Sequence, residues 1–195
     1  MTPALLADHE TLPTIRTPRL ALRWLTADDV PALFAIFSDP EVTRYWSSPA
    51  LRDRAEADVL LAQIHRHFRY RTLFQWGIAR QSDDLVIGTC TLAHLDATHR
   101  RAEVGFALGR AHWRQGYVGE TLVAALRFAF EELGLNRIEA DVDPRNERSI
   151  RSLERLGFRR EGYQRQRYIV NGEVQDSVLF GLLREEWDRH GERGV

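Results

Sequence analysis

The sequence predicts an α/β fold, an α+β mixed sheet with helices packed on its faces. Three observations carry that prediction. Apolar spacing switches between a helical period of about 3.6 residues and strict alternation several times along the chain. The run from Arg101 to Asp143 reads as strand, helix and strand, which favours a parallel right-handed crossover. The tail holds two long strand-like runs around Asn171-Gly172, a strong hairpin signal.

The elements follow in order. Arg19 to Trp24 alternates as a first strand, and Thr26 then stands as an N-cap ahead of two acids, Asp28 and Asp29. Val30, Leu33, Phe34 and Phe37 keep helical spacing until Asp39-Pro40 stops them. A second helix is expected from about Ala50 to Tyr70, with Leu60, Leu61, Ile64 and Phe68 on one stripe. Phe74, Trp76 and Ile78 then alternate with smaller or polar residues; Leu85–Leu95 and Arg101–Leu108 complete a three-stranded antiparallel meander. After the stretch "HWRQGYVGE" (112–120), Val118, Leu122, Leu126, Phe130 and Leu133 mark a helix ended by Gly134. Ile138, Ala140 and Val142 alternate as a fifth strand, and a short helix bearing Ile150, Leu153 and Leu156 ends at Gly157. With the tail hairpin this makes about seven strands.

Composition narrows the function. A chain of 195 residues is most simply one domain with a full core. A net charge of −1 argues against general nucleic-acid affinity. No apolar run reaches the roughly 18 residues of a spanning helix, and the first residues lack a basic leader, so the expected location is the cytoplasm, away from membranes. The lone cysteine, Cys90, excludes an intrachain disulfide and suits a reducing compartment. All 27 cationic residues are arginine, a fork suited to phosphates, although codon bias accounts for the missing lysine as well. The histidines, among them His65, His67, His94 and His112, show no metal-ligand spacing, so no metal is expected.

The stretch at 112–120 lies just past the C-terminal end of a strand, where ligands of α/β sheets usually bind. A helix start presents about four unpaired N–H groups and the positive end of the helix dipole. Gly116 leaves those donors uncovered, and Arg114 adds a charged fork. A diphosphate could sit there without a metal. The pattern is neither a P-loop nor a dinucleotide fingerprint, and two glycines at a helix start also serve as a plain turn.

Further residues supply context. Trp113, Gly116, Tyr117 and Glu120 are followed by Asn146 and Ser149, then by Glu154, Arg155, Gly157 and Phe158. "TPRLALR" (17–23), "SDPEV" (38–42), Glu161-Gly162, Gly172, Asp176 and Glu186-Trp187 fall in the same order. In that conjunction the chain resembles the GNAT superfamily of N-acyltransferases, in its RimJ/RimL-like branch, over residues 15–188. The resemblance implies a GNAT-like fold: a central, mostly antiparallel sheet of about seven strands, helices on both faces, and a splayed strand pair that binds CoA. It sets a single N-acetyltransferase domain at 15–188, between an extension at 1–14 and a tail at 189–195.

It implies further that acetyl-CoA is the cosubstrate and an amine the acceptor: a peptide or protein N-terminus, or a small molecule. A homodimer is compatible with it. The diphosphate cradle becomes the backbone of Arg114, Gln115, Gly116, Tyr117, Val118 and Gly119. Val118 departs from the family's small residue there, so its branches fall either over the phosphates or toward the core. Phe106 and Leu108 are assigned the pantetheine arm, with a backbone N–H polarising the thioester carbonyl. Asn146 both caps its helix and meets the pantetheine amide.

Glu103, on the face of its strand that carries Gly105 and Ala107, is the candidate general base; the alternative is a surface glutamate paired with Arg100 or Arg101. Ser149 is the candidate proton donor to the leaving thiolate, against a plain helix-surface serine, with Tyr163 and Tyr168 as phenolic alternatives. A nucleophilic Cys90 would need an activating base, for which His94 is the candidate on its strand; packing is the expected role. Tyr45 and Trp46 either line the acceptor pocket or pack the core. Two other readings compete: a non-catalytic acyl-CoA-binding sensor, and a resistance enzyme acting on an antibiotic-type small amine.

Overall fold

The structure is a computed structural model and describes residues 8–191. The expected extension over 1–14 and tail over 189–195 lie partly outside those residues. The chain builds β1 (Ile15–Arg16), β2 (Leu20–Arg23), α1 (Val30–Phe37), α2 (Pro40–Thr43), α3 (Arg54–Arg69), β3 (Leu73–Arg80), β4 (Val86–Asp96) and β5 (Arg101–Leu108). It continues with α4 (Tyr117–Arg127), β6 (Arg137–Val142), α5 (Glu147–Arg155), β7 (Arg159–Val170), β8 (Glu173–Leu183) and α6 (Arg184–Gly191). All eight strands form one sheet in the order β1-β2-β3-β4-β5-β6-β8-β7. Every neighbouring pair is antiparallel except β5 and β6, the parallel crossover expected of strand, helix and strand.

Local chemistry sets the helix starts. Thr26 and Asp29 form a reciprocal capping box, and a 3-10 turn over Ala27–Asp29 leads into α1. Asp53 caps α3 by accepting from the Glu56 N–H at 3.0 Å, so that helix starts at Arg54 rather than near Ala50. Asp39-Pro40, the expected stop of α1, also starts a new turn of helix: Asp39 Oδ1 accepts from the Glu41 N–H at 2.9 Å. Helix α4 does not run unbroken to Gly134; it loosens into a π-helical turn at Phe128–Glu132.

Side chains sort onto the two faces of the sheet. The main core gathers Trp76, Cys90, Val104, Leu108, Ile138, Ala140 and Phe180 with Leu122 and Leu126 of α4 and Ile150 and Leu153 of α5. A second cluster joins Ala79, Val86 and Ala107 to Val30, Leu33 and Phe37 of α1 and Leu61 and Ile64 of α3. Strand alternation then places Glu103 and Gly105, which share parity with Ala107, on the α1/α3 face. A bulge between Ala93 and Asp96 puts His94 at φ 51 and breaks the alternation that would have set it beside Cys90. No helix among the described residues is long and apolar enough to cross a membrane.

Candidate active site

The sheet opens where β5 meets β6. The two strands pair at Arg101↔Arg137, Ala102↔Ile138 and Glu103↔Glu139, yet β5 runs on to Leu108 and β6 to Val142. Glu103 is therefore the last paired residue before a fork. Past β5, the Gly109 N–H donates to the Ile87 carbonyl at 2.8 Å, which fixes the ladder with β4. Antiparallel alternation then turns the N–H and C=O groups of Phe106 and Leu108 away from β4 and toward the fork. Trp113 Nε1 donates to the Leu108 carbonyl at 2.6 Å, so that carbonyl already has a partner while the Leu108 N–H has none from β4.

The cradle candidates sit at the mouth of this fork. Arg114 has φ 62 and Gly116 φ 79, two left-handed residues flanking Gln115. A non-glycine residue held there is strained, and such turns aim successive N–H groups into one concavity. None of the N–H groups of residues 114–119 has an acceptor among the described residues. Six donors at the positive end of α4 are therefore unpaired, suited to an anion. Val118 packs against the main core, so its branches fall on the core side. A Cβ at Gly119 would meet nothing within 4 Å.

Helix α5 closes the far side. Asn146 Oδ1 accepts from the Ser149 N–H at 3.2 Å, the cap read from sequence. The Arg148 guanidinium lies 5.1 Å from the Trp113 ring centroid and brings the first turn of α5 to the cradle loop. Ser149 is half-buried in that turn.

Carboxylates mark the α1/α3 side of the fork. Glu103 has no ion-pair contact among the described residues, because Arg101 turns to Glu139 at 3.2 Å and Asp96 at 3.7 Å. Burial raises the Glu103 pKa; the negative charges of Asp141 and Glu139 push the same way, while His94 and Arg167 oppose them. Asp141 lies beyond the fork on β6 with its side chain 7% exposed. It accepts from Tyr168 Oη at 3.0 Å and from Arg167 Nε at 3.3 Å. Tyr163 instead donates to Asp176 at 2.5 Å on the outer hairpin, so only Tyr168 of the two phenols reaches the fork.

The remaining candidates sort cleanly. Cys90 is fully buried and its pKa is pushed up to about 12 by burial, a packing thiol rather than a nucleophile. Trp46 packs on Phe37 with ring centroids 4.9 Å apart, and Tyr45 lies under Arg145 at 5.8 Å, near the end of β6. Among the described residues no group of three or more potential metal ligands converges. Sequence reasoning passed over Asp141, which reads as a polar residue of an alternating strand. It also passed over the contact between Trp113 and Arg148, whose 35 positions of separation leave no local pattern.

Comparison with known proteins identifies the family. Residues 19–159 match the family model for the acetyltransferase (GNAT) domain. An uncharacterized N-acetyltransferase, p20, of Bacillus licheniformis is 36% identical over 174 residues, 89% of this chain and 98% of its own. The ribosomal protein uS5-alanine N-acetyltransferase of Escherichia coli (strain K12) is 27% identical over 128 residues, 65% of this chain and 66% of its own. A spermidine N-acetyltransferase of Vibrio cholerae, solved in complex with CoA and spermine, superposes with a TM-score of 0.77. At 22% identity, over 86% of this chain and 97% of its own, that is a likeness of fold.

Proposed function

The chain belongs to the GNAT acetyltransferase family and is an acetyl-CoA-dependent N-acetyltransferase; from that premise we propose which residues hold the donor and which work on the amine. The observation that carries the proposal is the row of unpaired N–H groups at 114–119 beside the open fork. These residues suit the diphosphate of the donor, with Arg114 beside them. Phe106 and the Leu108 N–H suit its pantetheine arm, with Asn146 on the opposite bank. When bound, the donor supplies an activated acetyl group on sulfur.

The chain's own groups do the rest. A backbone N–H of β5 at the fork polarises the carbonyl to be attacked. Glu103, on the α1/α3 side, takes a proton from the incoming ammonium group, directly or through water, so that a neutral amine attacks. The C–N bond forms as the C–S bond breaks; the nitrogen sheds its surplus proton, and Ser149 Oγ relays a proton to the departing sulfur as it takes that one up, so an amide and a neutral thiol leave and Ser149 ends unchanged. Tyr168 is a poorer donor for that step, because its hydroxyl is already given to Asp141. Val118, turned toward the core, does not favour a cradle that has lost its task.

The acceptor in this reading is a primary amine, on a peptide or protein N-terminus or on a small molecule, as in the RimJ/RimL-like branch. Release of CoA thiol measured against N-terminal peptides, polyamines and aminosugars tests it. Turnover on one of these classes is the expected result and names the substrate. Tight acetyl-CoA binding with no turnover on any amine would overturn it in favour of a sensor.

A further inference from the structure

The cradle loop is held by a residue far away in sequence. Arg19, just ahead of β2, donates from Nη1 to the Gln115 carbonyl at 2.9 Å and from Nε to Glu120 Oε2 at 2.7 Å. Its guanidinium carbon lies 4.5 Å from the centre of the Tyr117 ring. One side chain thus grips three residues on either side of Gly116, the position with φ 79.

Arg19 is fixed in its turn. Glu120 Oε1 accepts from the Arg19 backbone N–H at 2.8 Å and from Thr17 Oγ1 at 2.5 Å. The Arg19 carbonyl accepts from the Gln81 N–H at 3.0 Å, which anchors the segment to the end of β3. The Glu120 side chain is 14% exposed, so its carboxylate is a sheltered post rather than a loose surface charge. The Arg19 side chain is 48% exposed and covers little of the core, so packing does not account for its three directed contacts.

The remaining nitrogen points to a task. Nη2 has no hydrogen bond among the described residues, and it lies 3.4 Å from where a Cβ on Gly116 would stand. It is a free cationic donor at the rim of the unpaired N–H groups. We propose that Arg19 is a positioning residue of the donor site. It holds the 114–119 turn in its anion-ready shape and offers Nη2 to the diphosphate. This rests on the reading of that turn as the donor cradle, and it adds a residue from the opposite end of the domain.

The test compares two donors on Arg19→Ala and Arg19→Lys: acetyl-CoA, and S-acetylpantetheine, which carries the same thioester without the diphosphate. Affinities are read by calorimetry and, for the weaker ligand, by ligand-observed NMR at millimolar concentration. Arg19→Ala is expected to weaken acetyl-CoA about tenfold or more, the worth of a charged hydrogen bond and its preorganisation. It should leave S-acetylpantetheine unchanged. Arg19→Lys should recover only part of the loss, because an ammonium cannot bridge Gln115 and Glu120 as a fork does. An unaltered affinity for acetyl-CoA, or an equal loss for both donors, overturns the proposal. Amide exchange of wild-type residues 114–119 with and without acetyl-CoA tests the underlying reading separately. Protection there together with a silent Arg19→Ala removes Arg19 alone; no protection there removes the cradle.

Discussion

At the scale of single residues, Glu103 carries the sharpest expectation. Burial and two neighbouring carboxylates raise its pKa, and a base works only when ionised, so kcat/KM should climb as pH rises through that raised value. Glu103→Gln should remove this acid limb and lower the rate by about 10²–10⁴-fold; an unchanged pH profile would assign the proton to solvent. Asp141→Asn removes a charge that pushes Glu103 up, so the limb should move to lower pH. Stability should move the opposite way to activity. With a folded pKa above the unfolded one, Glu103 costs stability as pH rises across that window, and Glu103→Gln should melt higher at neutral pH. Strand parity sets Glu103 beside Gly105 and Ala107, and the family resemblance is what turns that position from a surface glutamate into a candidate base. The charges that tune it were not legible, since Asp141 and Arg167 reach it only through the sheet order. Alternation alone sets His94 on the side of Cys90, and the bulge that turns it away has no signature in that pattern.

At the scale of elements, what could be read was what local chemistry decides. Asn171 and Gly172 take φ 50 and φ 82, the paired left-handed values of a tight hairpin turn, as that dipeptide predicts. Gly172→Val forces a branched side chain into that region and should destabilise the protein by about 1–3 kcal/mol. Chemical denaturation reads this, and an unchanged midpoint would mean that the long β7–β8 ladder, not its turn, sets the register. Other elements escaped because they depend on distant partners. Strand β1 has two residues and exists only by pairing with Leu22 and Ala21. Helix α6 buries Trp187 against the main core but shows almost no apolar stripe of its own. The offset between Gln164 and Tyr168, where β7 carries extra residues against β8, sits in a uniformly polar run where register is weakly written.

At the scale of the molecule, the sheet consists of two antiparallel halves, β1 to β5 and β6 to β8, joined by three parallel pairs. The crossover fixed that parallel seam in advance, whereas the placing of β8 between β6 and β7 had no sequence cue. A seam this short leaves backbone groups along the fork without a strand partner, open to water or to a ligand. Binding to the folded state alone stabilises by about 2.7 kcal/mol at a hundred times Kd. For a chain of this size, that corresponds to a rise of about 5–10 °C in Tm. The distribution of that gain is the stricter test. Without ligand, the N–H groups of Phe106, Leu108 and residues 114–119 should exchange fast, while those of Gly105 and Ala107, paired to β4, stay protected. With acetyl-CoA the first set should slow and the second should hardly change. Since α5 meets the cradle loop through Arg148 and Trp113, slowing should extend to the first turn of α5 on the other half. Hydrogen exchange resolved by NMR reads each amide. A rise in Tm without protection along the fork would place the donor elsewhere on the sheet. Protection confined to 114–119 would reduce the fork to a gap beside a phosphate site rather than the channel in which the acetyl group is transferred.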